Sequence, residues 1–112
     1  MTSTQNEGYL LRIFLGEGDK RGHHPLYEVI VLEARNQGLS GATVLRGLMG
    51  YGSHSVLHTA KVLRLSEDLP MVIEIVDTLE KIESFIPVLD ELLPEGLVTL
   101  EKVRIIRYKK RA

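Results

Sequence analysis

Four histidines are the first candidates for chemistry in this chain. His54 and His58 stand at i, i+4, a spacing that turns two imidazoles to one side of a helix, and His23 and His24 are adjacent. No carboxylate falls at a matching interval, and the segment around His54 reads as loop, so surface polar residues account for all four better than a metal site does. The sequence has no cysteine, which removes thiolate zinc sites, thiol nucleophiles and iron–sulfur ligation. Gly16-Glu17-Gly18 precedes a helical stretch, but Arg21 stands where a dinucleotide fingerprint needs its third glycine, and no Gly-Lys-Ser/Thr follows. The run reads as a sharp turn, with Lys20 and Arg21 at a cleft entrance. Ser40, Ser53 and Ser55 lie in no nucleophile elbow. Glu74 sits on a strand and is expected to pair across the sheet with Arg46 as a structural ion pair. These residues form no catalytic constellation, and the expectation is a binding protein, not an enzyme.

Apolar periodicity sets the elements around these residues. Met1 to Gly8 has no period and reads as a flexible N-terminal tail; residues 9–109 form a single domain, and 110–112 a basic C-terminal tail. Tyr9 to Leu15 alternates as a strand and stops at Gly16. Pro25 suits the first position of a helix over Leu26 to Gln37, and Gly38 suits its left-handed stop. Ala42 to Met49 reads as a second strand, with a loop after it and a short strand over Val62 to Leu65. Met71 to Val76 is the next strand. Asp77 and Glu80 then fit a capping box opening a helix with the stripe Leu79, Ile82, Ile86, Leu89 and Leu93. Pro87 inside that stripe predicts a kink or break near Phe85. Val98 to Tyr108 is the last strand, and its alternation slips at Glu101-Lys102, which predicts a bulge.

The order is βαββαβ, an α+β ferredoxin-like sandwich with a four-stranded antiparallel sheet and two helices on one face. Several strands are apolar on both sides: Val44 and Leu48 oppose Leu45 and Met49, and Val72 and Val76 oppose Ile73 and Ile75. The face without helices is therefore an expected self-association surface.

Composition narrows the partners. With 112 residues and a formal charge of -1, the chain is one domain without the electrostatics of a nucleic-acid binder. The aromatics are scattered and build no base-stacking platform. The polar start lacks a signal peptide, and no apolar run approaches the ~20 residues of a membrane span, so a cytoplasmic location is expected. The stretch from Glu74 to Glu95 is acidic, and Lys102 to Arg111 is basic.

The run Gly38-Leu-Ser-Gly-Ala-Thr-Val-Leu-Arg-Gly-Leu-Met-Gly-Tyr-Gly52, with Ser66 to Asp77 and Glu95-Gly-Leu-Val-Thr99, resembles the PII-like family of domain of unknown function 190, within the GlnB-like superfamily. The resemblance covers Gly8 to Lys109. It implies a signalling protein that assembles as a homotrimer and binds an adenine nucleotide in clefts between subunits, under a mobile loop that acts on a partner protein. By that similarity Gly50, Tyr51 and Gly52 form the loop base and residues 53–60 the loop. Gly96 forms the phosphate-facing turn, and Arg104 and Arg107 supply positive charge; Arg46, Ser53 and His54 complete the ligand set. Leu97 stands where founding PII proteins carry a lysine after the glycine turn, and the loop is short for control by modification of Tyr51. An oligomeric interaction module without a ligand, or a metal-binding protein, are the alternative functions.

Overall fold

The computed structural model describes residues 2–52, 57–59 and 68–110. Its elements are β1 (Thr2–Gly16), the short bridge of β2 (Lys20–Arg21) with β3 (His24–Pro25), and α1 (Leu26–Asn36). They continue with β4 (Thr43–Arg46), the short bridge of β5 (Met49–Gly50) with β6 (His58–Thr59), β7 (Pro70–Asp77), α2 (Leu79–Leu92) and β8 (Leu97–Lys109). The four long strands make one antiparallel sheet in the order β4-β7-β1-β8, the ferredoxin-like arrangement.

Alternation places the core. Leu11, Ile13 and Leu15 of β1 and Met71, Ile73 and Ile75 of β7 turn to one side, where Ile30 and Ala34 of α1 and Ile82, Phe85 and Leu89 of α2 cover them. Burying side chains of this size is worth roughly 1.5–3 kcal/mol each. Both helices therefore lie on one face, as the pattern predicts.

Helix ends follow local chemistry. At the end of α1, Gly38 takes φ +82, its amide donates to Arg35 O at 3.1 Å, and the Leu39 amide reaches back to Ala34 O at 3.1 Å. That pairing is a Schellman stop, the left-handed end expected at Gly38. At α2 the cap is Thr78 instead of Asp77: its hydroxyl accepts from the Lys81 amide at 3.3 Å, while Asp77 closes β7. No break occurs near Phe85; α2 runs through Pro87, which is exposed, so a carbonyl that loses its partner there can be solvated.

Strand boundaries differ from the pattern in three places. Thr2–Gly8 is not a tail but the first half of β1, paired with Val103–Lys109. Ser3 and Gln5 to Glu7 are exposed, so no apolar period marks the stretch, although threonine suits an extended chain. The last strand has no bulge, because its register with β1 is unbroken from Lys109 to Leu97. Val98 and Leu100 pair with Ile13 and Leu11 on the helix side, whereas Val103 and Ile105 pair with Gly8 and Asn6 on the other side. The slip in alternation is thus a change of the apolar face along a regular strand. The second strand ends early, at Arg46: the Gly47 amide still donates to Pro70 O at 2.7 Å, but proline has no N–H to return the bond and the ladder stops. Val62 to Leu65 lies outside the described residues.

Candidate functional site

Direct partners in an antiparallel ladder share a face, so the registers write out the helix-free side of the sheet. Leu45, Val72, Phe14 and Leu97 form one row across it. Thr43, Glu74, Arg12 and Thr99 form the next, and Val76, Leu10 and Glu101 the one beyond. A polar row thus crosses a largely apolar face. Arg12 Nε donates to Glu74 Oε2 at 2.8 Å, and Arg12 Nη1 lies 3.9 Å from Glu101 Oε1. The hydrogen bond with Glu74 raises the Arg12 pKa above its ordinary value, so the guanidinium stays charged.

A groove of about 640 Å3 opens beside this row. Leu10 and Val76 give it apolar walls, Arg12 and Glu74 line one side, Ser40 to Thr43 another, and Arg107 reaches it from β8. The segment Ser40 to Thr43 is held in place by Asp77, the one buried charged side chain among the described residues. Asp77 Oδ2 accepts from the Ser40 amide at 2.9 Å and Oδ1 from the Thr78 amide at 2.7 Å. Ser40 Oγ donates to Val76 O at 2.8 Å. One carboxylate therefore ties the start of α2 to the strand approach that forms the groove wall. Chemically the groove offers two guanidiniums, one of them already paired, hydroxyls, and apolar surface, which suits an anion with an apolar body.

The predicted ligand residues do not converge within one chain. Arg46 ends β4, where its ladder partner is Met71 on the helix side, and its Nη1 donates to Glu17 Oε2 at 3.0 Å. The expected Arg46–Glu74 pair therefore does not form: Glu74 lies opposite Thr43, on the other face, and takes Arg12 instead. Gly50 lies in the bridge to His58, close to Pro70, and Tyr51 and Gly52 follow, exposed. Gly96 adopts φ +142, and a Cβ there would stand 3.0 Å from Phe14 O, so this turn needs glycine. Its surroundings include Asp90 and Glu95, which favour cations over phosphate. Arg104 and Arg107 lie far along β8 from Gly96, Arg107 by roughly 36 Å at ~3.3 Å per residue. The two arginines also point to opposite faces, since Arg104 pairs with Glu7 and Arg107 with Thr4. Ser53 and His54 lie outside the described residues, as does most of the expected 53–60 loop. Among the described residues of the predicted set, only Arg107 lines the groove. Ser40, Gly41, Ala42 and Thr43 stand outside that set, although they sit inside the Gly38-to-Gly52 run that carries the family resemblance. His23 and His24 are exposed in the β2–β3 turn, and no group of three or more metal-type ligands gathers among the described residues.

The four-stranded antiparallel sheet with two helices on one face is a ferredoxin-like α+β architecture, the fold that solved PII-like structures share. The family model DUF190, described as Uncharacterized ACR, matches residues 8–105, and the chain belongs to that family. It is 40% identical over 99 residues to a UPF0166 protein of Aquifex aeolicus, covering 87% of this chain and 91% of that protein. A UPF0166 protein of Methanocaldococcus jannaschii is 36% identical over 99 residues, covering 88% and 91%. Among solved structures, the nitrogen regulatory PII-like protein CPII of Thiomonas intermedia K12, bound to ADP, AMP and bicarbonate, superposes with TM-score 0.62 at 20% identity, covering 91% of each chain. A putative PII-like signaling protein of Thermus thermophilus does so with TM-score 0.60 at 16% identity, covering 92% and 91%. No helix among the described residues is long and apolar enough to cross a membrane.

Proposed function

We propose that this chain is a PII-like regulatory protein that senses an adenine nucleotide, held in the groove between Ser40–Thr43 and Arg107. The observation that carries the reading is that single groove, which joins an arginine from β8, the Arg12–Glu74 pair and the glycine-containing approach to β4. A phosphate would meet Arg107 and the outward donors of Arg12, and a base would lie on Leu10 and Val76. The structural relative bound to ADP, AMP and bicarbonate supports this ligand class. The helix-free face serves as the surface through which copies associate as a homotrimer, roofing the groove. The β5–β6 bridge, with exposed Leu48, Met49, Tyr51 and Leu57 around it, forms the base from which the following loop acts on a partner protein.

Calorimetric titration of the purified oligomer with ADP, AMP and ATP, with and without bicarbonate, tests the reading. Saturable binding that is lost in Arg107→Ala and retained in Arg104→Ala is the expected result. No binding of any nucleotide would leave the ligand-free interaction module as the better account.

A further inference from the structure

Two features with complementary chemistry lie at opposite ends of β8. The first is the ribbon made by Thr2–Gly8 with Val103–Lys109, which is largely exposed. It helps give a radius of gyration of 15.9 Å and dimensions of 50 × 30 × 24 Å, whereas a compact domain of this length has a radius of about 13 Å. A two-stranded ribbon without a covering layer is marginal in water. On its helix-side stripe Arg104, Ile106 and Tyr108 alternate, with Lys102 and Lys110 flanking them and Ile106 and Tyr108 exposed. The stripe is both basic and apolar.

The second feature is a cleft of about 360 Å3 between the end of α2 and the start of β8, lined by Ile86, Leu89, Asp90, Leu93, Glu95 and Val98. It has an apolar floor and two carboxylates. At this end of α2 the Arg21 guanidinium already donates to Glu91 O at 3.3 Å, so the attraction of the cleft for a further cation rests on the exposed Asp90 carboxylate. At ~3.3 Å per residue the Arg104–Tyr108 stripe of the same chain lies roughly 20–33 Å from Val98 along β8 and cannot fill this cleft.

We infer that the Arg104–Ile106–Tyr108 face of one copy's ribbon docks in the acidic cleft beneath α2 of a second copy. Arginine meets Asp90, and the isoleucine and tyrosine cover the apolar floor. The contact is head-to-tail, using two different patches, so it propagates from copy to copy and closes where the rotation permits a ring. The inference rests on the proposed self-association and adds to its helix-free interface a second contact on the helix side.

Because the chain has no cysteine, engineered thiols report this contact alone. Arg104→Cys and Asp90→Cys variants, each bearing one thiol, are mixed and mildly oxidised. A disulfide-linked dimer that forms in the mixture and not in either variant by itself supports the contact. Sedimentation velocity on the full chain supplies the second readout: Asp90→Lys weakens association about tenfold or more, and adding Arg104→Glu restores it. A wild-type chain that is monomeric at every concentration overturns self-association and this contact together. An oligomer with unchanged affinity in Asp90→Lys and no mixed disulfide overturns the contact while leaving self-association in place.

Discussion

Arg12 and Glu74 meet across β1 and β7 at 2.8 Å, on the one face of the sheet that no helix covers. The pair is partly exposed, flanked by Val72 and Val76 on one strand and by Leu10 and Phe14 on the other. An ion pair in such a setting orients its members more than it stabilises the fold. Glu74→Ala is therefore expected to leave the far-ultraviolet circular dichroism unchanged and to lower nucleotide affinity several-fold, because Arg12 loses the partner that aims it along the groove. Calorimetric titration of the variant decides this, and an unchanged dissociation constant would remove Arg12 from the site.

Asp77 is the structural counterpart, buried and bonded to the amides of Ser40 and Thr78. Asp77→Ala leaves those two donors without an acceptor, at a cost of roughly 2 kcal/mol. Urea denaturation should show that loss, with Asp77→Asn falling between the variant and the wild type. The amide resonance of Ser40 should shift the most in either variant.

Gly8 is where the two-stranded ribbon begins, one residue beyond the last pair of β1 with β7. A Cβ there would overlap the Ile105 side chain and come within 2.9 Å of Asp77 O. Gly8→Ala is expected to destabilise by roughly 1–3 kcal/mol. Ile105→Val should recover part of the loss in the double variant, measured by the same denaturation curves, since the side-chain overlap shrinks and the backbone contact remains.

Gly96 and Gly52 make a matched comparison. Gly96 has φ +142 and lies against the Phe14 carbonyl, whereas a Cβ at Gly52 meets nothing within 4 Å. Gly96→Ala should cost roughly 1–3 kcal/mol through backbone strain. Gly52→Ala should stay within about 0.5 kcal/mol of wild type. Equal thermal shifts in the two variants would contradict the strained turn.

Local sequence determined the elements whose side chains alternate between water and core. The stripe through Ile82 and Leu89, the Gly38 stop and the buried sides of Leu11-to-Leu15 and Met71-to-Ile75 are legible because burial on one face imposes a period on the chain. The βαββαβ order followed, and so did the family resemblance carried by Gly38 to Gly52. Only the tertiary structure decided the rest. Thr2–Gly8 becomes a strand through pairing with residues about a hundred positions away, and that backbone pairing leaves no mark on side-chain polarity. Glu74 takes Arg12 over Arg46 because the register of β4 places Arg46 opposite Met71 and Thr43 opposite Glu74. The groove exists because Asp77 holds Ser40 while β8 brings in Arg107, a juxtaposition of three distant segments. Periodicity reports which way a residue faces within its own element; register and crossing of strands, which fix its neighbours, are set by contacts between elements.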